Sequence, residues 1–162
     1  MIRAAPGLLF RAGVAGDQAA LWALRTRCVR EVCRTHYPPA VIERWSASAP
    51  PSRYPDLVAH GGCVIAEDAQ RRLCGYGILI ASLNEVDALF VDPDRAGQGI
   101  GRAVLERVMA LADPRRDIVL TASLNAVAFY QAAGFLIEGE HDYPHPSGVM
   151  LASMQMRRAA RL

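Results

Sequence analysis

The residues able to do chemistry crowd into one part of the chain. From Leu89 the sequence reads Phe-Val-Asp-Pro-Asp-Arg-Ala-Gly-Gln-Gly-Ile-Gly101, so Gly97, Gly99 and Gly101 fall at every second position. The residues after them have helical period. Ile100, Val104, Val108 and Ala112 form one stripe, with Leu105 and Met109 beside it and Arg102, Glu106 and Arg107 opposite. A glycine-rich loop that opens into a helix is a place for an anion. The first N–H groups of the helix lack internal partners, and the helix dipole favours negative charge there. Glycine lets the peptide touch the ligand where a Cβ would hold it off. Such a loop suits a phosphate or pyrophosphate. The dinucleotide fingerprint does not fit, because its third glycine would fall on Arg102 or on Val104. A P-loop would need lysine, and the chain has none.

The elements that must position this loop can be read from pattern and punctuation. The apolar run Val86 to Val91, interrupted by Asp87, has strand length and stops at Pro93. Upstream, Leu8 to Val14 reads as a strand, and Asp17 as the N-cap of a helix through His36. Ala40 to Trp45 reads as a short helix, and residues 47–53 as a loop. Cys63 to Glu67 and Leu73 to Ser82 read as a hairpin. Downstream, Ile118 to Ala122 is a strand, Asn125 to Ala133 a helix closed by Gly134, and Phe135 to His141 and Val149 to Met156 the last strands. The expected order is β-α-α-β-β-β-α-β-α-β-β, a single α/β (α+β) domain over residues 1–162. One mixed, mostly antiparallel sheet with helices on both faces would bury these elements.

Two motifs carry a family resemblance. Val-x-Pro-x-x-x-Gly-x-Gly-x-Gly before an amphipathic helix resembles the cofactor motif of the GCN5-related N-acetyltransferases (GNAT). Asn125-x-x-Ala-x-x-Phe-Tyr-x-x-x-Gly-Phe135 resembles that family's second motif at every fixed position. The likeness runs from about residue 8 to 156 and is strongest from Glu85 to Phe135. It implies the acyl-CoA N-acyltransferase fold, with acetyl-CoA as cosubstrate. It places Phe90, Val91, Ala96, Gly97, Gln98, Gly99, Ile100, Gly101 and Arg102 along the pantetheine and pyrophosphate, largely through backbone. Asn125 would hydrogen-bond the cofactor arm, and Phe129 would pack beneath it. Ala96 departs from the family, which usually has Gln or Arg there; Arg95 or Arg102 could supply a charge instead.

The activity implied is transfer of an acetyl group to a primary amine by direct attack in a ternary complex. Such an amine must lose a proton, and the departing thiolate must gain one. By resemblance, Glu85 matches the glutamate base of the histone-acetylating branch, and Tyr130 is the general acid. Asp87, two residues on along the strand, is a second candidate base. Both acids could equally face solvent or pair with arginines, and Tyr130 could simply pack. An expected alternative is a non-catalytic acyl-CoA-binding or sensing domain.

Composition narrows the classes further. Net charge is +2, with basic and acidic residues interspersed, so there is no nucleic-acid footprint. No apolar run is long enough to span a membrane, and the opening residues have too short an apolar block for a signal peptide, so a cytoplasmic protein is expected. Absence of lysine removes Schiff-base chemistry. Cys28, Cys33, Cys63 and Cys74 form no Cys-x-x-Cys pair and read as buried thiols, not disulfides. His141 and His145 are interrupted by Pro144, so no metal site is expected. The acceptor, a small-molecule amine or a protein N-terminus, would approach Arg34 to Trp45 and Glu138 to Ser147. The sequence is compatible with a homodimer.

Overall fold

The computed structural model describes residues 7–161; Met1 to Pro6, the start of the stretch read as no signal peptide, lie outside the described residues. Twelve regular elements succeed one another. They are β1 (Leu9–Ala12), α1 (Gln18–Glu31), α2 (Pro39–Ser46), α3 (Tyr54–Ala59), β2 (Cys63–Glu67), β3 (Leu73–Ile80), β4 (Glu85–Val91), α4 (Ile100–Ala110), β5 (Ile118–Ser123), α5 (Val127–Ala132), β6 (Leu136–Pro144) and β7 (Met150–Arg158). The strands form one seven-stranded sheet in the order β1-β2-β3-β4-β5-β7-β6. Every neighbouring pair is antiparallel except β4 and β5. No helix among the described residues is long and apolar enough to cross a membrane.

The expected mixed sheet with helices on both faces is present, with one addition. Residues 54–59 form α3, a helix inside a Pro-rich stretch. Pro55 sits in its first turn, where a missing N–H costs nothing. Six residues are too few for periodicity to show in sequence. The first helix is shorter than expected: it ends at Glu31, and a 3₁₀ turn, Cys33–Thr35, carries the chain onward. Asp17 does stand at its N-cap. However, its carboxylate accepts from Arg11 and from the Val14 N–H, not from the helix.

Apolar packing divides along the sheet. On one face α4 brings Val104, Leu105 and Val108 against Leu79, Val86 and Leu120. Gly77 permits this: a Cβ there would stand 2.7 Å from Val108 Cγ2, so any side chain would push α4 away. On the other face α1 and α3 bring Leu21, Leu24, Tyr54 and Val58 against Ile65, Tyr76 and Ile78. All four cysteines are buried and free.

Two irregularities in β4 shape the region around the glycine loop. Leu79 pairs with Val86 and Ile78 with Ala88, so Asp87 is an extra, bulged residue. The bulge resets the alternation of faces. Val86, Leu89 and Val91 pack on the α4 side, whereas Ala88 and Phe90 pack on the α1–α3 side. Pairing with β5 is also brief. It covers Glu85 with Val119 and Val86 with Leu120, and then stops. Beyond that point the two parallel strands diverge, leaving facing edges without a strand partner.

Candidate functional site

The glycine loop sits at the top of this divergence, between β4 and α4. Gly97 and Gly99 both have φ of +78°, a left-handed conformation that side chains resist. Gly99 is the N-cap of α4, and a Cβ on Gly97 would meet nothing within 4 Å. The loop therefore offers exposed backbone to open space at a helix N-terminus. Gly101 has a different reason to be glycine. Its Cβ would come within 3.3 Å of Phe129 Cε2 and 3.4 Å of Val91 Cγ2, so its role is to let α4 close onto β4 and α5. Ile100 is buried beneath the loop, while Ala96 and Gln98 are exposed. The loop is tied twice on its β4 side. Arg27 on α1 bridges to Asp92 and Asp94 at 2.8 and 2.9 Å. Arg95 donates to Asp68 Oδ2 at 2.8 Å, across to the β2–β3 turn.

These ties bear on the missing charge at Ala96. The Arg95 guanidinium is held by Asp68 and faces Asp92 at 3.7 Å, so it braces the loop. Arg102 reaches Glu106 at 3.2 Å and the Ala132 carbonyl at 3.4 Å, capping the end of α5. The amides of the loop and of the first turn of α4 are what remains for an anion.

Glu85 and Asp87 stand at the vertex where β4 and β5 part. Both belong to the α1–α3 side of the strand, and Arg53 approaches Asp87 at 3.7 Å. Burial pushes the Glu85 carboxyl above its ordinary range, and the neighbouring Asp87 charge pushes it further. Burial raises Asp87 too, with Arg53 opposing. Raised carboxyls of this kind hold and release protons closer to neutrality. Asn84 fixes the vertex. It is 1% exposed and adopts φ of 51°. Its Nδ2 donates to the carbonyls of Asp113, Arg116 and Asp117, and its Oδ1 accepts from the Asp113 N–H. The residue before Glu85 is thereby locked to the connection that leads into β5.

Across the divergence, α5 contributes Tyr130 and the turn before it contributes Asn125. Tyr130 is 7% exposed, edge-on to Phe129 at 5.2 Å and to Phe135 at 5.8 Å. Burial alone acts on its hydroxyl and raises its pKa; no group among the described residues hydrogen-bonds it. Asn125 faces the Cys33 thiol, and its Oδ1 is buried without a partner among the described residues. A buried carbonyl oxygen with nothing to accept from is costly, and an amide N–H of a bound ligand would satisfy it. Phe90 and Val91 line the β4 edge. The Phe90 ring lies against Tyr76 at 5.6 Å, on the side away from α4. The Val91 carbonyl accepts from the Cys28 thiol at 3.1 Å.

The acceptor segments expected from sequence meet only in part. Trp45 lies 5.2 Å from Tyr37 and 6.4 Å from His145, and His145 lies 6.1 Å from Tyr143. Asp142 is exposed, and the exposed His36 turns back to Thr35. Sequence reasoning missed Arg25, Arg53, Tyr54 and Asn84. One signal was available for Arg25: it falls within the apolar stripe Leu21, Leu24, Cys28, Val29 of α1, so it had to point inward.

Similarity to known proteins bears on what this geometry serves. Residues 33–157 match the family described as Acetyltransferase (GNAT) domain. The peptidyl-lysine N-acetyltransferase YjaB of Salmonella typhimurium is 36% identical over 66 residues, 41% of this chain and 46% of that protein. The match thus spans about half the length of that curated relative. A GCN5-related N-acetyltransferase from Rhodopseudomonas palustris superposes with a TM-score of 0.85 at 21% identity, over 97% of this chain and 98% of that one. The PaiA N-acetyltransferase of Thermoplasma acidophilum, solved in complex with coenzyme A, superposes with a TM-score of 0.66 at 19% identity, over 94% and 99% of the two chains. At these identities the structural likeness establishes the fold.

Proposed function

Because the chain belongs to the GNAT acetyltransferase family, we propose that it moves the acetyl group of acetyl-CoA to a primary amine in a ternary complex. One observation carries this reading: β4 leaves β5 after Val86 and Leu120, so a single open edge leads from the glycine loop to Glu85 and Asp87. Acetyl-CoA, the cosubstrate, supplies the acyl group as a thioester. The amides of Gly97 to Arg102 suit its phosphates, and the unpartnered Asn125 Oδ1 suits an amide of its arm. The acceptor lies on the α1–α3 side of β4. There Glu85, with Asp87 beside it, takes the proton that the attacking amine sheds.

Tyr130 faces the leaving sulfur in this reading. Its raised pKa keeps it protonated at any ordinary pH. Complete transfer to a departing thiolate, uphill even from an ordinary tyrosine, becomes more so with that shift. The role its environment supports is a hydrogen bond donated to sulfur as the carbon–sulfur bond lengthens, with solvent delivering the last proton. Thiol release from acetyl-CoA, measured across a panel of amines, tests the proposal. Release that depends on an amine supports a transferase. Tight acetyl-CoA binding with no amine turned over would instead make this a binding or sensing domain.

A further inference from the structure

We propose that the acceptor amine also carries a carboxylate, and that Arg25 receives it. This rests on the transferase reading and names its substrate class. Arg25 projects from α1 into the space between α1, α2 and the sheet and is 5% exposed. Its Nη2 donates to the Trp45 carbonyl at 2.9 Å and to Ser48 Oγ at 3.1 Å, and the guanidinium lies over the Trp22 ring at 4.4 Å. Its Nη1 is buried with no partner among the described residues. No carboxylate is among the groups that act on it. A guanidinium is always charged, so a buried positive charge stands here without a counter-ion among the described residues. Capping α2 through one nitrogen does not call for a fork of five donors. Bidentate binding of a planar anion does.

A second polar group lies close by. Tyr54, 4% exposed, has a buried hydroxyl whose neighbour among the described residues is the Tyr76 hydroxyl, without a well-aligned hydrogen bond between them. The charges of both Arg25 and Asp87 act on that hydroxyl, so both lie near it. The α1–α3 side of the sheet therefore holds acids at Glu85 and Asp87, the Tyr54 hydroxyl, and the Arg25 guanidinium with its unpartnered Nη1. That sequence of charges matches a molecule with an ammonium at one end and a carboxylate at the other. It disfavours a polyamine, whose second ammonium would meet Arg25. Nη1 is closed to bulk water, so entry of the occupant requires side chains to part, and the Trp45–His145 contact between α2 and the β6–β7 turn, rings 6.4 Å apart, is the candidate seam.

The test is a set of matched acceptors with the wild-type protein and acetyl-CoA. Each common α-amino acid, with β-alanine and 4-aminobutyrate, is assayed for thiol release beside its carboxamide. The expected result is that, for at least one pair, the acid is used at least about tenfold better in kcat/KM. That ratio should fall toward one in Arg25→Met and partway in Tyr54→Phe. Equal or better use of the carboxamides throughout, or loss of activity in Arg25→Met with the ratio intact, would overturn the proposal. The wild-type ratios decide even if Arg25→Met fails to fold. If no amine is acetylated, calorimetry with the same pairs separates the two ideas. Acid binding that requires Arg25 would keep the carboxylate site and sink the transferase reading, while no preference for the acid would sink the site itself.

Discussion

Arg95 Nη2 stands 2.8 Å from Asp68 Oδ2, which fastens the glycine loop to the β2–β3 turn. Asp68 also accepts from the backbone N–H groups of Gln70 and Arg72. The Arg72 N–H, followed by the Arg95 and Arg72 guanidinium groups, holds its carboxyl down at about 2, against an ordinary 3.8. The lowered pKa means the charged form is the stabilising one. Its contribution is fully present above about pH 4 and disappears as pH falls toward 2. Asp68→Asn should therefore lower Tm at neutral pH, with the gap from wild type closing as pH approaches 2. The variant should also bind acetyl-CoA more weakly, because the loop loses a brace. A gap that stays constant down to pH 2 would show that the carboxylate charge is not the source.

Gly99→Glu should abolish acetyl-CoA binding. A glutamate there adds like charge where phosphates would lie, and it strains a backbone at φ +78°. Gly99→Ala separates the two effects: it carries the strain, a cost of about 1–2 kcal/mol, without the charge. Calorimetry with coenzyme A on both folded variants should show weakened binding in the alanine variant and none in the glutamate variant. Equal affinity in the two would remove the loop from the cofactor site.

Glu85→Gln should lower kcat/KM about 100-fold near neutral pH, with activity recovering at alkaline pH as the amine deprotonates itself. Asp87→Asn makes a finer test. The Asp87 charge helps to raise the Glu85 pKa, so removing it favours the ionised form of Glu85. The acid limb of the wild-type profile should then move to lower pH in Asp87→Asn. A limb that does not move would mean that Glu85 is not the group being titrated.

Tyr130→Phe should leave Tm nearly unchanged, since no group among the described residues hydrogen-bonds the hydroxyl. Turnover should still suffer. A hydrogen bond to a charged group contributes about 1.5–3 kcal/mol, so kcat should fall about 10- to 150-fold with cofactor affinity little altered. Full activity would leave Tyr130 as a packing residue between Phe129 and Phe135.

How much of this was legible in the sequence depended on whether a signal was local. Gly97, Gly99 and Gly101 could be read because a glycine loop and a periodic helix are each visible within a dozen residues. The Asp87 bulge could not. Val86, Ala88, Leu89, Phe90 and Val91 are all apolar, and a strand packed on both faces has no alternation to reveal a slip. Arg25 was passed over because an arginine on a helix is ordinarily solvated, and only the elements packed on it show that its charge is unanswered. Asn84 falls between two strands, where an asparagine is unremarkable in sequence. Its four hydrogen bonds reach partners some thirty residues away, which no local pattern encodes. The Pro-rich stretch before α3 hid the helix that brings in Arg53 and Tyr54.

The bulge at Asp87 also sets how this strand can tolerate insertion and deletion. Val91 and Leu89 point to α4, while Ala88 and Phe90 point to α1 and α3, because one surplus residue sits between Val86 and Ala88. Drawing Asp87 into the ladder, or adding one residue after Ala88, would turn the residues beyond it over. Phe90 would then be driven toward α4, and Val91 would be expelled from beneath Gly101. The tip of the β6–β7 hairpin, by contrast, is largely exposed around Pro146 and Gly148 and has no such parity to keep. Changes of length are therefore absorbed where the acceptor would arrive and forbidden where the thioester would lie. One scaffold could meet different amines while its acyl-handling half stays fixed to the residue.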